Sequence, residues 1–460
     1  MMSAMMDLLG ATRATAGKLT GDNLTFDGIS IDSRTIAAGD LFVALRGERF
    51  DGHEYVAAAQ ARGAIAAVVA ADAAETLRAL ALPLIEVADT RLSLGALAAD
   101  WRSRFTLPVI AVTGSNGKTT TKEMIASILQ AAFADAVLAT RGNYNNDIGL
   151  PLTLLGLNAH HRAAIIEMGM NRPGEIAYLA GIARPGVAVV TNAQRAHLAG
   201  MGSLAAIASE KGGIYSGLDE QGVAVFNADD PWADLWRGQC RGLRTMTFGF
   251  EQPADVRGQV CLHGLESRLT ICAADGQCEV LLALPGLHNA RNALAAATAT
   301  LAAGVPLAAV EAGLINFRGL KGRLQRRLAL HGAVLLDDTY NANPDSVRAG
   351  IDVLAATIGR KILVLGDMGE IGEMSAQFHD EIGGYAKSQG IDRLLTLGEA
   401  SALAAHNFAA GGQHYCHIDQ LIDDLSGELT PQTTVLVKGS RFMRMERVAD
   451  AISVPAEGTE

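Results

Sequence analysis

Pro108-Val-Ile-Ala-Val-Thr-Gly-Ser-Asn-Gly-Lys-Thr-Thr-Thr-Lys122 is the stretch on which the reading of the fold turns. A compact apolar run, 108–113, predicts a buried strand. Glycines at 114 and 117 predict a tight turn, and the helix-prone segment 122–133 follows. In that order, backbone N–H groups from Asn116 to Thr120 point at one spot beside the positive end of a helix, where a polyphosphate is held. Gly114, Ser115, Asn116, Gly117, Lys118, Thr119 and Thr120 are therefore the candidate nucleotide loop. Lys118 would reach the outer phosphates, and the Thr119 hydroxyl would take Mg²⁺. The spacing Gly114-x-x-Gly117-Lys118-Thr119 is shorter than the general G-x-x-x-x-G-K-[ST] pattern, and a glycine turn with a surface lysine would explain the same letters.

Outward from this loop the pattern repeats. Strands without polar alternation are expected at 163–167, 187–192 and 223–227, with helical stretches between them, which argues for a parallel sheet covered on both faces. The helix 287–303, ended by Gly304, closes the region. Before residue 106, short β-type runs at 28–31, 41–45, 65–69 and 84–87 alternate with alanine-rich stretches. After a basic, glycine-rich segment, Arg318-Gly-Leu-Lys-Gly-Arg323, strands are expected at 333–336, 361–365, 393–397 and 434–437. The chain of 460 residues thus reads as α/β in three domains, 1–106, 107–317 and 318–460.

Composition narrows the class. Apolar residues make up 49% and charged residues 19%, which excludes a disordered chain. The net charge of -11 is the wrong sign for a general nucleic-acid or anionic-membrane binder, so any anion needs a local site. The five cysteines form no CxxC pair and read as thiols of a reducing compartment. Asp7 stands where a secretory leader would carry basic residues, and apolar runs such as 64–71 fall far short of the ~20 residues of a membrane span. A cytoplasmic protein without membrane insertion is expected. Monomer is the default, since three domains can bury their own cores.

Several further motifs carry chemistry: Gly142-Asn-Tyr-Asn-Asn146, Glu167-Met-Gly169, Leu287-His-Asn-Ala-Arg-Asn292, Asp337-Asp-Thr-Tyr-Asn-Ala-Asn-Pro-Asp345 and Leu365-Gly-Asp-Met-Gly-Glu370. With the TGSNGKTTTK loop they resemble the Mur ligases, over nearly the whole chain from Asp32-Ser-Arg34 to Lys438-Gly-Ser-Arg441. The resemblance implies ATP-dependent amide-bond formation in peptidoglycan synthesis. It implies an N-terminal UDP-sugar-binding domain, a central P-loop ATP-binding domain, and a C-terminal Rossmann-like domain that closes on ATP. The YNANPDS, LGDMGE and GNYNN segments narrow the implied substrates to UDP-N-acetylmuramoyl-tripeptide and D-alanyl-D-alanine. Bound ATP and UDP-substrate are expected to pull the domains together about residues 317–323.

Such a reaction activates a carboxylate as an acyl phosphate, which the incoming amine attacks, so the site must position phosphates and neutralise their charge. Glu167, at a strand end, is the candidate Mg²⁺ ligand, although a strand-end carboxylate could equally cap the next segment. His197 matches the position of the family's metal-site histidine, an unusual partner for a cation that prefers oxygen. Lys211 matches a lysine that the family carries as a carbamate, which would complete a metal set of Thr119, Glu167, His197 and Lys211; an exposed, ion-paired helix lysine is the simpler reading. Lys118, Glu167, His197 and Lys211 form the implied catalytic group. Asn289 and Asn292 share one helix face and, with Arg323 and Asp338, are implied ATP contacts; Asn289 could instead be a helix cap. Ser33 and Arg34 are implied at the UDP-sugar, although Asx-turn chemistry explains the same residues. Asn143, Asn145 and Asn146 are implied near the sugar and peptide, although such a run of polar residues is also simply a good turn. Tyr340, Asn341 and Asn343 are implied at D-alanyl-D-alanine, with Asp345 at the closing interface or simply beginning a helix.

The rival enzyme is another carboxylate–amine ligase, of the amino-acid-adding Mur type or the folylpolyglutamate type. The former would be expected to carry DNPR where this chain reads YNANPDS, and the latter to lack a uridine-binding first domain. A P-loop ATPase switch, from a different class, would need a Walker-B aspartate and would hydrolyse ATP without acceptors.

Overall fold

The computed structural model describes residues 4–454. Its chain forms three successive sheet-centred units. In the first, a five-stranded sheet runs in the order Lys18–Thr20, Leu84–Val87, Ala66–Ala70, Leu41–Val43, Ile29–Ser30, parallel except at its first pair. The helix Thr90–Ser103 leads out of this unit, capped by Asp89, whose carboxylate accepts from the backbone of Arg91 and Leu92. Leu94 and Leu97 face the first core while Ala98 faces the second. One helix thus belongs to both units, and the expected division near residue 106 falls just after it.

The nine-stranded central sheet has the expected strands at its heart. Val109–Thr113, Ala163–Glu167, Val187–Val190 and Val223–Asn227 are buried at every position, which only a sheet covered on both faces allows. Helices Lys118–Phe133, Leu287–Ala302 and Leu307–Asn316 cover one face; Glu175–Ala183 and Leu204–Gly212 cover the other. Gly313 lets two of these helices touch, since a Cβ there would lie 2.3 Å from Ile128 Cα. The expectation of a purely parallel central sheet needs correction. Beyond Arg244–Gly249 the chain adds Val256–His263, Glu266–Ala273 and Gly276–Leu282, and the last three strands form an antiparallel ribbon. Their burial alternates, with Leu269, Ile271, Cys278, Val280 and Leu282 inward, so one face lies on the core and the other meets water.

Phe317, at the end of helix Leu307–Asn316, still packs in the central core, whereas Leu324 packs in the third. The basic segment 318–323 is therefore the crossing between them, with Leu320 bridged to Arg323. The third unit is a six-stranded sheet in the order Gln325–Leu328, Val334–Asp338, Thr433–Lys438, Arg360–Gly366, Arg393–Leu397, Gly412–Tyr415, antiparallel only at its first pair.

Polar pairs join the third unit to the second. Arg195 donates to Asp345 from both its backbone N–H (2.8 Å) and its guanidinium (2.6 Å), and the guanidinium lies over the Phe378 ring at 5.3 Å. Asp345 is both the second residue of helix Pro344–Ala355 and an interface residue, so the two readings of it hold together. Replacing Arg195 and Asp345 by alanine, singly and together, should give a double-mutant coupling of about 1–3 kcal/mol in thermal unfolding, with the single mutants expanded in solution scattering. Additive effects with an unchanged radius of gyration would show that the pair does not hold the units together.

Candidate active site

The carboxyl ends of the parallel strands in the second and third sheets open onto one cavity of about 830 Å³, the place where open α/β sheets take their ligands. At its floor the chain leaves Val109–Thr113, turns, and enters helix Lys118–Phe133. The turn is clamped from two sides. Asn116 gives its backbone N–H to Asn192 Oδ1 (2.9 Å), and its carbonyl accepts from Thr191 Oγ1 (2.8 Å) and Asn192 Nδ2 (2.9 Å). Above it, helix Leu287–Ala302 brings Asn292 so close that a Cβ on Gly117 would lie 2.1 Å from Asn292 Oδ1. Gly117 also has φ +79°, a region that costs any other residue energy.

Lys118 folds over this turn, its Nζ donating to Gly114 O (2.7 Å) and Ser115 O (3.2 Å). Withdrawal from solvent lowers its pKa, an effect that Glu167 opposes and Arg323 assists. Glu167 ends its strand with 2% exposure. Its Oε1 accepts from Asn145 Nδ2 at 2.7 Å, while Oε2 is buried without a hydrogen-bond partner. An orphaned carboxylate oxygen beside a phosphate-type loop is what a hard cation would satisfy.

His197 sits at φ +59° and meets Glu370 of the third unit, Nδ1 to Oε2, at 3.0 Å. That hydrogen bond, opposed by desolvation and helped by Lys118, holds the Glu370 carboxyl below its ordinary pKa. Lys211, on helix Leu204–Gly212, is 1% exposed, so the exposed, ion-paired lysine is ruled out. Burial drives its pKa well below the ordinary value, and the neighbouring charge of Lys118 adds to this.

Asn289 is not the cap of its helix; Gly286 holds that position. The Asn289 amide instead donates to Pro285 O (2.9 Å) and its oxygen accepts from Asn292 (3.3 Å). From the third unit Arg323 lies 4.0 Å over the Tyr340 ring. Asp338 accepts from Lys438 Nζ at 2.5 Å and from the backbone of Leu324 at 3.2 Å. Asn343 caps helix Pro344–Ala355 and donates to Asn116 Oδ1 at 2.7 Å, so its side chain is committed to the seam.

Most of the residues read from sequence therefore meet in one place. Ser115 to Thr120, Asn145, Asn146, Glu167, His197, Asn289, Asn292, Arg323, Asp338, Tyr340, Asn341 and Asn343 line the cavity. Gly114 and Lys211 are outside its lining; Gly114 is backbone support, its missing Cβ leaving room for Thr191 Oγ1. Ser33, Arg34 and Asn143 are apart from it as well. Arg34 is held by its own neighbour Asp32 (2.7 Å), and Asn143 is an exposed turn residue. Sequence reasoning missed Asn192, Arg195 and Lys438 as site or seam residues. Lys438 did give a signal, a lone charge ending the apolar run Thr433–Lys438.

Three family models match the chain: "Mur ligase family, catalytic domain" over 25–102, "Mur ligase middle domain" over 112–300, and "Mur ligase, glutamate ligase domain" over 322–441. The UDP-N-acetylmuramoyl-tripeptide--D-alanyl-D-alanine ligase of Escherichia coli (strain K12) is 41% identical over 459 residues, 98% of each chain. A crystal structure of MurF from Acinetobacter baumannii superposes with TM-score 0.89 at 36% identity, covering 96% of this chain and 98% of that one. The MurF ligase from Thermotoga maritima in complex with ADP gives TM-score 0.80 at 29% identity, covering 92% and 96%.

The close approach over the loop is testable without assuming any reaction. Gly117→Ala should weaken ATP binding at least roughly tenfold and cost about 1–3 kcal/mol of stability, because the new methyl must displace Asn292 and the backbone is left-handed. Calorimetric titration with ATP checks the first effect and thermal unfolding the second; wild-type affinity would contradict the clamp.

Proposed function

The chain belongs to the Mur ligase family, and from that membership we infer that it joins D-alanyl-D-alanine to UDP-N-acetylmuramoyl-tripeptide at the expense of ATP, through an acyl phosphate. The product is the UDP-linked pentapeptide precursor of peptidoglycan. The observation that carries this reading is the full-length match to ligases of that name. A nucleotide loop at the seam of two α/β units supports it.

In this reading the backbone of 116–120 and Lys118 hold the ATP phosphates, and Asn289, Asn292, Arg323 and Asp338 surround the rest of the nucleotide. Phosphoryl transfer to the tripeptide carboxylate then needs alignment and charge neutralisation rather than covalent help from the protein. Arg323, arriving from the third unit, adds positive charge once the units meet. Asn145 and Asn146 flank the sugar–peptide end and Tyr340 and Asn341 the acceptor end. Ser33 and Arg34 remain assigned to the UDP end on the family resemblance, while Asp32 already holds the Arg34 backbone and guanidinium in a turn of the first unit.

A divalent cation fits the residues present. The unpartnered Glu167 Oε2 and the side chains of Thr119 and His197, which line the same cavity, are its proposed ligands; bound there, Mg²⁺ would neutralise phosphate charge. Among the described residues no three of His, Cys, Asp and Glu converge. The donor set is then short of hard oxygens, and a Lys211 carbamate would supply two. Lys211 amine and CO₂ would form the carbamate N–C bond with release of a proton, for which the amine must first be neutral. Burial favours that state.

A cytoplasmic monomer stays part of the proposal: the five cysteines without a CxxC pair suit a reducing compartment, and the three units each bury a core of their own. No described helix is long and apolar enough to cross a membrane.

Incubating purified protein with UDP-muramoyl-tripeptide, ATP and D-alanyl-D-alanine should yield pentapeptide and ADP, and ATP hydrolysis without ligation would instead support the ATPase switch. In that assay Lys118→Ala and Thr119→Ala should each lower kcat by ~10²-fold or more while the proteins stay folded; near-normal turnover at saturating ATP would remove the loop assignment. Labelled bicarbonate should give a ¹³C carbamate signal that Lys211→Ala abolishes, and short carboxylic acids should partly restore that variant. Full activity of Lys211→Ala without rescue would sink the modification.

A further inference from the structure

Three carboxylates of the third unit reach the cavity: Asp338, Asp345 and Glu370. Two of them already have an obligatory cation. Asp338 is held by Lys438, and Asp345 by Arg195. Among the described residues Glu370 has no lysine or arginine ion-pair partner. It meets only His197, at 3.0 Å, and histidine carries no obligatory charge. Its side chain is 64% exposed, so the carboxylate projects into the cavity.

The segment that carries Glu370 is fixed on both sides. Met368 gives its backbone N–H to the buried His379 Nε2 at 2.9 Å, and Gly369 gives its N–H to Ser440 Oγ at 2.7 Å. Asp367 accepts from the backbone of Ser401 at 2.8 Å. Ile371, next in sequence, is buried in the core of the third unit. Between these anchors Glu370 itself lies at φ +60°. A left-handed glutamate is uncommon, and such strain persists where the surroundings over-determine it, often at ligand sites. Glycine would serve the turn at lower cost, so the backbone alone does not account for a glutamate here.

Resting on the ligase reading above, we propose that Glu370 is the docking group for the α-ammonium of the incoming dipeptide. The acceptor is a zwitterion, and its ammonium end must approach the activated carboxylate. A fixed carboxylate hydrogen-bonded to His197 and, among the described residues, without a paired lysine or arginine, supplied by the unit opposite the phosphate loop, would receive that end. The more distant charge of Lys118 helps to hold it ionised. Glu370 is thereby a specificity residue for an amine acceptor.

Steady-state kinetics on the full-length protein test this with Glu370→Gln and Glu370→Gly; the glycine variant relieves the left-handed backbone and so guards against misfolding. Both should raise KM for D-alanyl-D-alanine by roughly 10- to 100-fold, as loss of a charge-assisted hydrogen bond does. KM for ATP and for the UDP-tripeptide should stay within about twofold, a split that general structural damage would not produce. N-propionyl-D-alanine, which lacks the ammonium, should compete weakly with the wild type and equally weakly with both variants. Variants with wild-type acceptor KM, or with the increase falling on ATP instead, would overturn the assignment of Glu370 alone. Wild-type protein inert toward D-alanyl-D-alanine would remove the ligase reading and this inference with it.

Discussion

The site depends on one close approach, that of the Asn292 amide to the α-carbon of Gly117. Because a Cβ there would overlap the Asn292 oxygen, helix Leu287–Ala302 can lie directly on the nucleotide loop. The same helix packs its alanine-rich face on the central sheet, with Ala290, Ala293, Ala296 and Ala297 fully buried. A small-residue helix seated on the sheet thus fixes the height of the loop above the strand ends, while Thr191 and Asn192 fix its lateral position. Preorganised donors of this kind need no rearrangement when charge arrives, which is how an active site gains from electrostatics.

Charge is distributed unevenly across the seam. The central unit contributes Lys118 and the buried Lys211, whose charges oppose one another and favour the neutral amine at Lys211. The third unit contributes Arg323 and Lys438, the latter balanced by Asp338. Glu167 is the buried carboxylate at the centre, one oxygen held by Asn145 and the other free. A buried oxygen in that condition is costly unless a cation or proton donor completes it. The electrostatics of the central unit therefore ask for a ligand at Glu167, the position proposed above for a divalent cation.

How much of this could be read from the sequence follows from the range of each interaction. Val109–Thr113 and its sister strands were legible because full burial writes itself as an unbroken apolar run. The loop was legible because its glycines are needed locally. The ribbon 256–282 was also written down, as the alternation Leu269-x-Ile271 and Cys278-x-Val280-x-Leu282, yet an expectation of parallel strands hides a period of two. What the sequence could not show is which polar residues meet across domains. Arg195 and Asp345 lie 150 positions apart, and no local pattern links them. Nor does the string Asp-Met-Gly-Glu370 show that Glu370 faces the cavity while Asp367 ties down backbone; that depends on a left-handed residue and on His379, buried nine positions further along the chain.

The chemistry of the seam bears on the catalytic cycle. Its hydrogen-bonded contacts include Asn343 with Asn116, Asp345 with Arg195, and Glu370 with His197, each of modest strength in partly wet surroundings. Beside them is a small apolar contribution from Leu198 and Leu265, which pack on the core of the third unit. An apolar seam of the same extent would hold the units shut, and two bulky products would have to leave through it. A fully open arrangement would expose the acyl phosphate to water before the amine arrived. Polar pairs of about 0.5–1.5 kcal/mol each lie between these limits. They define a single docked geometry, and water can replace them when the units part. In the proposed reading the phosphates are bound by the second unit and the acceptor end is lined by the third. Occupation of both halves therefore adds contacts that neither unit makes alone, so docking is most favourable when all reactants are present.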